Sequence, residues 1–308
     1  MSAMKNAACL ALLMLTICSP AMTRASERTK HVNANGYTFT YVEAGKGEPV
    51  ILVHGALADY RSAGEVAERL ATRFRVIRYS RRYHYPDKPA QISDYSPDVH
   101  ARDLVALIRA LHLDRVHLVG HSYGGVVAML AAASAPDLIR TVTLEEPALM
   151  SFISGTDVME QQKKARATVV ADIRQKFNAG EPNPAADEFI DWVRGNDGRF
   201  PSPSEQKQMA YDNETTLLPM LDGPAATFNC EAAQRFSRPS LLLYGEHTRP
   251  WYRAVVMSLS KCLPNAEASQ ISKSTHFVEE DNPTGDRRRD SQLLRSPLWT
   301  VIAKTLSL

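Results

Sequence analysis

The sequence predicts an α/β fold built around a mostly parallel β-sheet. Short, continuous apolar runs recur at 49–53, 116–119 and 240–244, as expected for strands that are buried on both faces. Helical patterns separate these runs, and strands that alternate with helices indicate βαβ units. The chain has 308 residues, which is enough for one large α/β domain with an insertion.

The first half of the chain supplies most of the predicted strands. Two alternating segments flank Asn35-Gly36, a dipeptide that strongly favours a β-hairpin. The strands predicted in this half are 29–33, 37–42, 49–53, 74–79, 116–119 and 141–145. The helices predicted between them are 61–72, 98–112 and 126–135.

The character of the sequence changes between residues 148 and 236. Charged helical stretches occur at 158–177, 187–194 and 205–218, separated by Pro-containing breaks, and no buried-strand pattern appears. This predicts a helical cap at 148–236, inserted into a sheet domain formed by 26–147 and 237–308. The second part of that domain is predicted to contain strands at 240–244 and 266–271 and a helix at 250–263.

The first 25 residues have the pattern of a secretory signal peptide. Lys5 precedes an apolar run from residue 7 to 18, and small residues follow at suitable cleavage positions. The run is short for a membrane span, although an uncleaved anchor is the alternative. We therefore expect a periplasmic or secreted protein that begins near Ser26 and has no membrane contact after cleavage.

Composition narrows the classes of partner and cofactor. The 36 basic and 34 acidic residues nearly balance, so no nucleic-acid partner is indicated. No Cys/His cluster has zinc-ligand spacing, and we expect neither a metal nor another cofactor. After removal of the signal, Cys230 and Cys262 remain as an even pair in an oxidising compartment, where they could form a disulfide or stay as two buried thiols. The oligomeric state is open.

Residues 116–125 carry the strongest functional signal. An apolar strand runs into Gly120-x-Ser122-x-Gly124, and an Ala-rich helical run follows. Strand, sharp turn and helix in this order form a nucleophile elbow, in which the glycines permit a strained turn that exposes the serine hydroxyl. Ser122 is therefore the predicted nucleophile.

Several motifs in register resemble the α/β-hydrolase superfamily. They are His54-Gly55, the Ser122 elbow, the cap, Gly245-Glu246, and His276 ahead of Asn282-Pro283. The resemblance covers nearly the whole chain after the signal and implies a serine hydrolase with an inserted cap. It implies that His276, after the last predicted strand, is the catalytic base. It also implies an oxyanion hole formed by the backbone N–H groups of Ala56 and Tyr123.

The triad acid departs from the commoner pattern of this family. Most members place an Asp shortly after the strand that ends here at Tyr244, but Thr248 stands at the aligned position and cannot carry the charge. Some branches place the acid after the strand that follows the elbow helix, which here ends in Glu145-Glu146-Pro147. This resemblance favours Glu146, with Glu145 and Glu246 as the alternatives.

Substrate recognition is the least determined part of the site. Arg81, Arg82, Tyr83 and His84 occupy a polar loop after a predicted strand, and they could contact a carboxylate or phenol at the site entrance. A solvated basic loop is the alternative interpretation of the same residues.

The favoured function is hydrolysis of a small-molecule carboxylic ester or lactone through an acyl-enzyme on Ser122. A carbon–carbon bond hydrolase that uses the same triad is an alternative, as is a non-catalytic ligand-binding protein of the same fold. Haloalkane dehalogenases and epoxide hydrolases share the layout, but they need an Asp where Ser122 stands.

Overall fold

The predicted strands assemble into one eight-stranded sheet. The computed structural model describes residues 28–195 and 202–281. The strands are β1 (Lys30–Ala34), β2 (Tyr37–Ala44), β3 (Pro49–Val53), β4 (Arg75–Tyr79), β5 (Val116–His121), β6 (Ile139–Glu145), β7 (Ser240–Gly245) and β8 (Ala266–Ile271). Their spatial order is β1-β2-β4-β3-β5-β6-β7-β8. β2 is antiparallel to β1 and β4, and every other neighbouring pair is parallel, so the prediction of a mostly parallel sheet is confirmed.

Helices cover the sheet and fill the long connection between β6 and β7. Within the described residues the α-helices are α1 (Gly64–Leu70), α2 (Pro97–Ala110), α3 (Tyr123–Ser134), α4 (Asp157–Asn178), α5 (Pro182–Arg194), α6 (Ser204–Asp212), α7 (Leu217–Asp222), α8 (Cys230–Gln234), α9 (Pro250–Cys262) and α10 (Val278–Asp281). None of them is both long enough and apolar enough to cross a bilayer.

Local sequence explains where the principal helices begin. The Ser96 hydroxyl accepts a hydrogen bond from Val99 N at 3.2 Å, and Pro97 occupies the first turn of α2, where its missing N–H is not needed. The Thr156 hydroxyl caps α4 in the same way through Met159 N. α3 is buried on almost all sides, because its small and apolar residues pack against the sheet.

The helical segment between β6 and β7 departs from the predicted boundaries at two points. α5 begins at Pro182, five residues before the predicted start, because proline is tolerated in a first turn. The predicted helix 205–218 is broken after Asp212. There the buried Asn213 accepts a hydrogen bond from Tyr85 N and donates one to Asp59 Oδ2, each at 2.8 Å, which favours a turn over a continued helix.

A disulfide joins this segment to the sheet domain. Cys230 at the start of α8 and Cys262 at the end of α9 are bonded, with their Cα atoms 5.2 Å apart. Of the two states expected for this cysteine pair, the structure shows the disulfide. This link holds the return of the chain towards β7 against the helix that follows that strand.

Candidate active site

Five strands of the sheet end at the candidate site. β3, β5, β6, β7 and β8 are consecutive neighbours and parallel, so the residues that follow them meet at one edge. These residues are His54-Gly55 after β3, Ser122 after β5, Glu146 after β6, Thr248 after β7 and His276 after β8. The carboxyl edge of a parallel sheet is where α/β proteins place their ligands and catalytic groups.

Ser122 occupies a strained turn between β5 and α3. Its backbone has φ 51° and ψ −116°, outside the regions that non-glycine residues favour. The turn is held by hydrogen bonds from Ser122 N to Glu145 O (2.9 Å) and from Ala148 N to Ser122 O (3.2 Å). Gly124 permits the close packing, since a Cβ there would lie 2.1 Å from Val53 O. These features are those of a nucleophile elbow.

Glu146 and His276 form a buried acid–base pair. His276 Nδ1 lies 2.6 Å from Glu146 Oε2. The same carboxylate accepts hydrogen bonds from Gly245 N (2.7 Å) and from the Thr248 hydroxyl (2.6 Å). Thr248, at the position where most of the family has an Asp, therefore supports the acid that arrives from β6. Glu146 has φ 46°, a left-handed conformation that its three donors help to maintain.

The other two candidate carboxylates have different partners. Glu246 is exposed and accepts a hydrogen bond from Lys273 N at 2.8 Å. Glu145 is buried beside Glu279, and burial together with that neighbour raises the pKa of Glu145 well above its usual value. Of the three glutamates, the structure brings Glu146 to the histidine.

The electrostatics of the pair leave His276 as a neutral base. Burial and the positive charge of Arg194 lower the pKa of His276. Burial raises the pKa of Glu146 above its usual value, and the hydrogen bonds from Thr248 and Gly245 offset part of that rise. Because three donors converge on this carboxyl, we assign it as ionised and assign the proton of the imidazole to Nδ1. His276 Nε2 is buried and has no hydrogen-bond partner among residues 28–195 and 202–281, so it is available to accept a proton.

Aromatic and histidine rings hold His276 in place. The Tyr252 ring stacks on the imidazole at a centroid distance of 4.0 Å and an interplanar angle of 20°. His121 Nε2 donates to His276 O at 2.8 Å. Neither Tyr252 nor His121 was predicted to support the base. Tyr252 lies in α9, 24 residues before His276, and local sequence pattern does not reveal such a contact.

Arg194 binds the segment that carries His276. This last residue of α5 is fully buried, and its guanidinium donates to Asp281 Oδ1 (2.7 Å) and Gln206 Oε1 (2.6 Å). Asp281 Oδ2 in turn accepts hydrogen bonds from the N–H and the hydroxyl of Thr275. The guanidinium also lies 4.3 Å above the centre of the Phe277 ring. The inserted helices are thereby tied to both chain neighbours of His276.

Ala56 and Tyr123 lie beside Ser122 on the wall of the same cavity. Tyr123 is the first residue of α3, so its N–H has no acceptor within the helix. Ala56 follows the His54-Gly55 turn. The structure thus places both residues of the predicted oxyanion hole on the same cavity wall as Ser122.

The basic loop formed by residues 81–84 does not line the cavity, although the sequence predicts it at the site entrance. Arg81 is buried and donates to Gly55 O (2.9 Å) and His54 O (3.2 Å), while its other terminal nitrogen contacts His100 Nδ1. His84 is also buried and donates to Ala58 O at 2.7 Å. The Tyr83 hydroxyl donates to Ser93 O, and none of the three lines the cavity. The reason is that the carbonyls of the oxyanion turn need donors, and the loop folds beneath the turn to supply them.

Neutral histidines complete the support beneath this turn. Burial and the charge of Arg81 lower the pKa of His54, His84 and His100 well below the usual value. Arg82, the remaining basic residue of the loop, pairs with Asp103 at 2.7 Å. The loop therefore supports the oxyanion turn from below.

A cavity of about 510 Å³ opens above Ser122. Its walls are largely apolar, with Met150, Phe189 and Trp192 among the lining residues. No group of three or more His, Cys, Asp or Glu side chains in the described part of the chain is arranged to hold a metal ion. The cavity is of a size that accommodates a small organic molecule next to the serine.

Strained serine, histidine–carboxylate pair, oxyanion turn and apolar cavity together define a hydrolase site on an α/β sheet. Residues 48–283 match the family model for the alpha/beta hydrolase fold, and the chain belongs to this family. The family resemblance inferred from the sequence is therefore confirmed, and the chain is a hydrolase of α/β fold.

The chain is also similar to individual proteins of known name, at low to moderate sequence identity. The chain is 26% identical over 268 residues to a 2-(acetamidomethylene)succinate hydrolase of Mesorhizobium japonicum, covering 83% of this chain and 91% of that protein. It is 39% identical over 119 residues to an N-formylmaleamate deformylase of Pseudomonas putida. This match covers 38% of this chain and 44% of that protein. The carboxylesterase CesB of Bacillus subtilis has a similar structure, with a TM-score of 0.66 at 19% identity, covering 84% of this chain and 88% of that one.

Proposed function

We propose that this protein is a serine hydrolase that cleaves carboxylic esters, including lactones, through an acyl-enzyme on Ser122. The observation that carries the proposal is the Glu146–His276 pair at the strand ends beside Ser122. Within residues 28–195 and 202–281, His276 Nε2 has no hydrogen-bond partner. A serine hydroxyl is a weak nucleophile at neutral pH, and a neutral imidazole held by a carboxylate is the base that activates it.

In the proposed reaction, Ser122 Oγ attacks the ester carbonyl while His276 Nε2 takes the hydroxyl proton. Glu146 holds the imidazole through Nδ1 and stabilises the imidazolium. The backbone N–H groups of Ala56 and Tyr123 stabilise the tetrahedral oxyanion. Collapse breaks the bond to the alcohol, which leaves with the proton from Nε2. Water then repeats the sequence and releases the acid.

Hydrolysis of a non-ester bond by the same residues is a second candidate. The two curated relatives are named for a succinate derivative and a formylmaleamate, and neither name denotes an ester hydrolase. A carbon–carbon bond hydrolase that uses Ser122, His276 and Glu146 belongs to this second class. Matched ester and diketone substrates distinguish the two candidates, because turnover of the diketone alone supports the second.

We also propose that the protein is exported to the periplasm or secreted. The apolar run near the amino terminus supports export, although it lies outside the described residues. The Cys230–Cys262 disulfide agrees with an oxidising compartment. Fractionation of cells, with sequencing of the mature amino terminus, tests this proposal.

Fluorophosphonate labelling tests the nucleophile. We expect the purified mature protein to gain the mass of a single adduct, because an activated serine attacks the phosphorus centre. Ser122→Ala is expected to gain none, and His276→Ala to react far more slowly. Intact mass spectrometry measures all three. A folded wild type that forms no adduct contradicts the proposal and supports the non-catalytic, ligand-binding alternative.

The pH profile tests the state of the base. Turnover needs neutral His276, whose pKa is lowered from 6.5, so kcat/KM should be lost only as the pH falls through the lowered value. We expect kcat/KM to stay level from about pH 8 to about pH 6. Arg194→Gln removes a charge that lowers this pKa and should move the acidic limb of the remaining activity to higher pH, while the lost contacts to Asp281 and Phe277 lower kcat/KM at every pH. If the acidic limb of the wild-type profile has an apparent pKa at or above the usual pKa of histidine, the assignment is contradicted.

A further inference from the structure

The charged side chains that line the cavity in the described part of the chain lie on one helix. Gln162, Lys163 and Arg166 of α4 line the cavity together with Ser122. Met159, Gln162 and Arg166 are spaced three and four residues apart, so they share one face of the helix. Within the part of the chain that the structure describes, Lys163 and Arg166 are the charged residues on the cavity wall, and no Asp or Glu is among them.

Two of these side chains have hydrogen-bonding capacity that the protein does not use. Gln162 is 5% exposed, yet its amide makes no hydrogen bond with the described residues. The partly buried Arg166 donates from one terminal nitrogen to Leu221 O at 2.7 Å and forms no ion pair in residues 28–195 and 202–281. Both side chains line the cavity, so their unused donors are available to a ligand that enters it.

Lys163 differs from its two neighbours. Its side chain is more than half exposed and pairs with Glu160 at 2.8 Å on the helix surface. An exposed pair of this kind contributes little and opens easily. Lys163 therefore adds positive charge at the mouth of the cavity, whereas Gln162 and Arg166 can bind a ligand directly.

We infer that the substrate carries a carboxylate remote from the bond that is cleaved, and that Gln162 and Arg166 bind it. A guanidinium and an amide N–H₂ are both donors, and a carboxylate accepts only, so the three groups are complementary. The apolar wall beside them, which includes Met159, Met220 and Leu221, suits a short hydrocarbon segment between the carboxylate and the scissile carbonyl. This inference rests on the proposed ester hydrolysis at Ser122.

Matched ester pairs test the inference. Monomethyl esters of dicarboxylic acids are compared with methyl esters of monocarboxylic acids of the same chain length, for example monomethyl adipate with methyl hexanoate. We expect the wild type to prefer the anionic ester. Arg166→Gln and Gln162→Met should each lower kcat/KM for the anionic ester roughly 10- to 100-fold, mainly through KM, and change the neutral ester about twofold at most.

Lys164→Gln is the matched control. Lys164 follows Lys163 in α4, is exposed and does not line the cavity, so its replacement removes the same charge at a neighbouring place. It should leave the preference unchanged. Gln162→Met also separates ligand binding from packing, because Gln162 makes no hydrogen bond with the described residues, whereas Arg166 also donates to Leu221 O.

Binding to Ser122→Ala gives a readout that needs no turnover. Calorimetry should show monomethyl adipate binding to Ser122→Ala and at least tenfold weaker binding when Arg166→Gln is added. Equal use of both ester classes, with no effect of Arg166→Gln, overturns the inference and leaves the proposed function intact. No fluorophosphonate adduct and no hydrolysis of either ester defeats the proposed function. In that case the binding experiment still decides about the carboxylate.

Discussion

Glu146→Gln is expected to lower kcat about 10⁴-fold while KM changes little. The glutamine amide keeps the size of the side chain but can direct an N–H towards His276 Nδ1. The imidazole then carries its proton on Nε2 and cannot accept one from Ser122. The loss of the carboxylate also removes the charge that stabilises the imidazolium. Steady-state kinetics on an ester that the wild type hydrolyses measures the effect.

Two neighbouring glutamates provide matched controls for this substitution. Glu145→Gln should remain within about threefold of the wild type, because Glu145 is buried beside Glu279, while Glu146 is the carboxylate that contacts His276 Nδ1. Glu246→Gln should be as active, since Glu246 contacts Lys273 N at the surface. Full activity of Glu146→Gln beside an inactive Glu145→Gln or Glu246→Gln would show that another residue is the triad acid.

Gly124→Ala is expected to lower the free energy of unfolding by about 3 kcal/mol or more and to remove turnover. The new Cβ would lie 2.1 Å from Val53 O and 2.4 Å from His54 O, both of them backbone atoms. β3 and the oxyanion turn must move away from α3 to accommodate it. Urea unfolding measures the stability, and fluorophosphonate labelling measures the site.

Gly180→Ala is the control for the cost of replacing a glycine. Gly180 has φ +76°, and nothing lies within 4 Å of a Cβ built there. Only the left-handed conformation is then penalised, by about 1 kcal/mol, and labelling should be normal. A Gly124→Ala protein as stable and reactive as Gly180→Ala would mean that the elbow tolerates expansion.

Short-range patterns predicted the sheet well. The apolar runs became buried strands because the middle of a parallel sheet is covered on both faces. The Asn35-Gly36 turn was predicted equally well, since positive φ values at both residues suit this dipeptide. The elbow could be predicted because strand, glycines and helix are adjacent in sequence.

Contacts between distant segments could not be predicted in this way. The break after Asp212 depends on the bonds of Asn213 to Asp59 and Tyr85, more than 120 residues away. Arg81 turns inwards because two carbonyls of the oxyanion turn need donors, and a run of charged residues resembles a surface loop in sequence. The role of Thr248 becomes visible only when β6 and β7 lie side by side.

The buried contacts of Arg194 have a consequence for the thermal stability of the enzyme. Its guanidinium is fully buried, so separating it from Asp281 leaves an unpaired charge in the interior at a cost of several kcal/mol. The helices between β6 and β7 are thus not a lid that swings freely. When heat does detach them, Thr275 and Phe277 lose their partners and His276 loses its alignment. We therefore expect loss of the Arg194–Asp281 contact to inactivate the enzyme while the sheet itself is still folded.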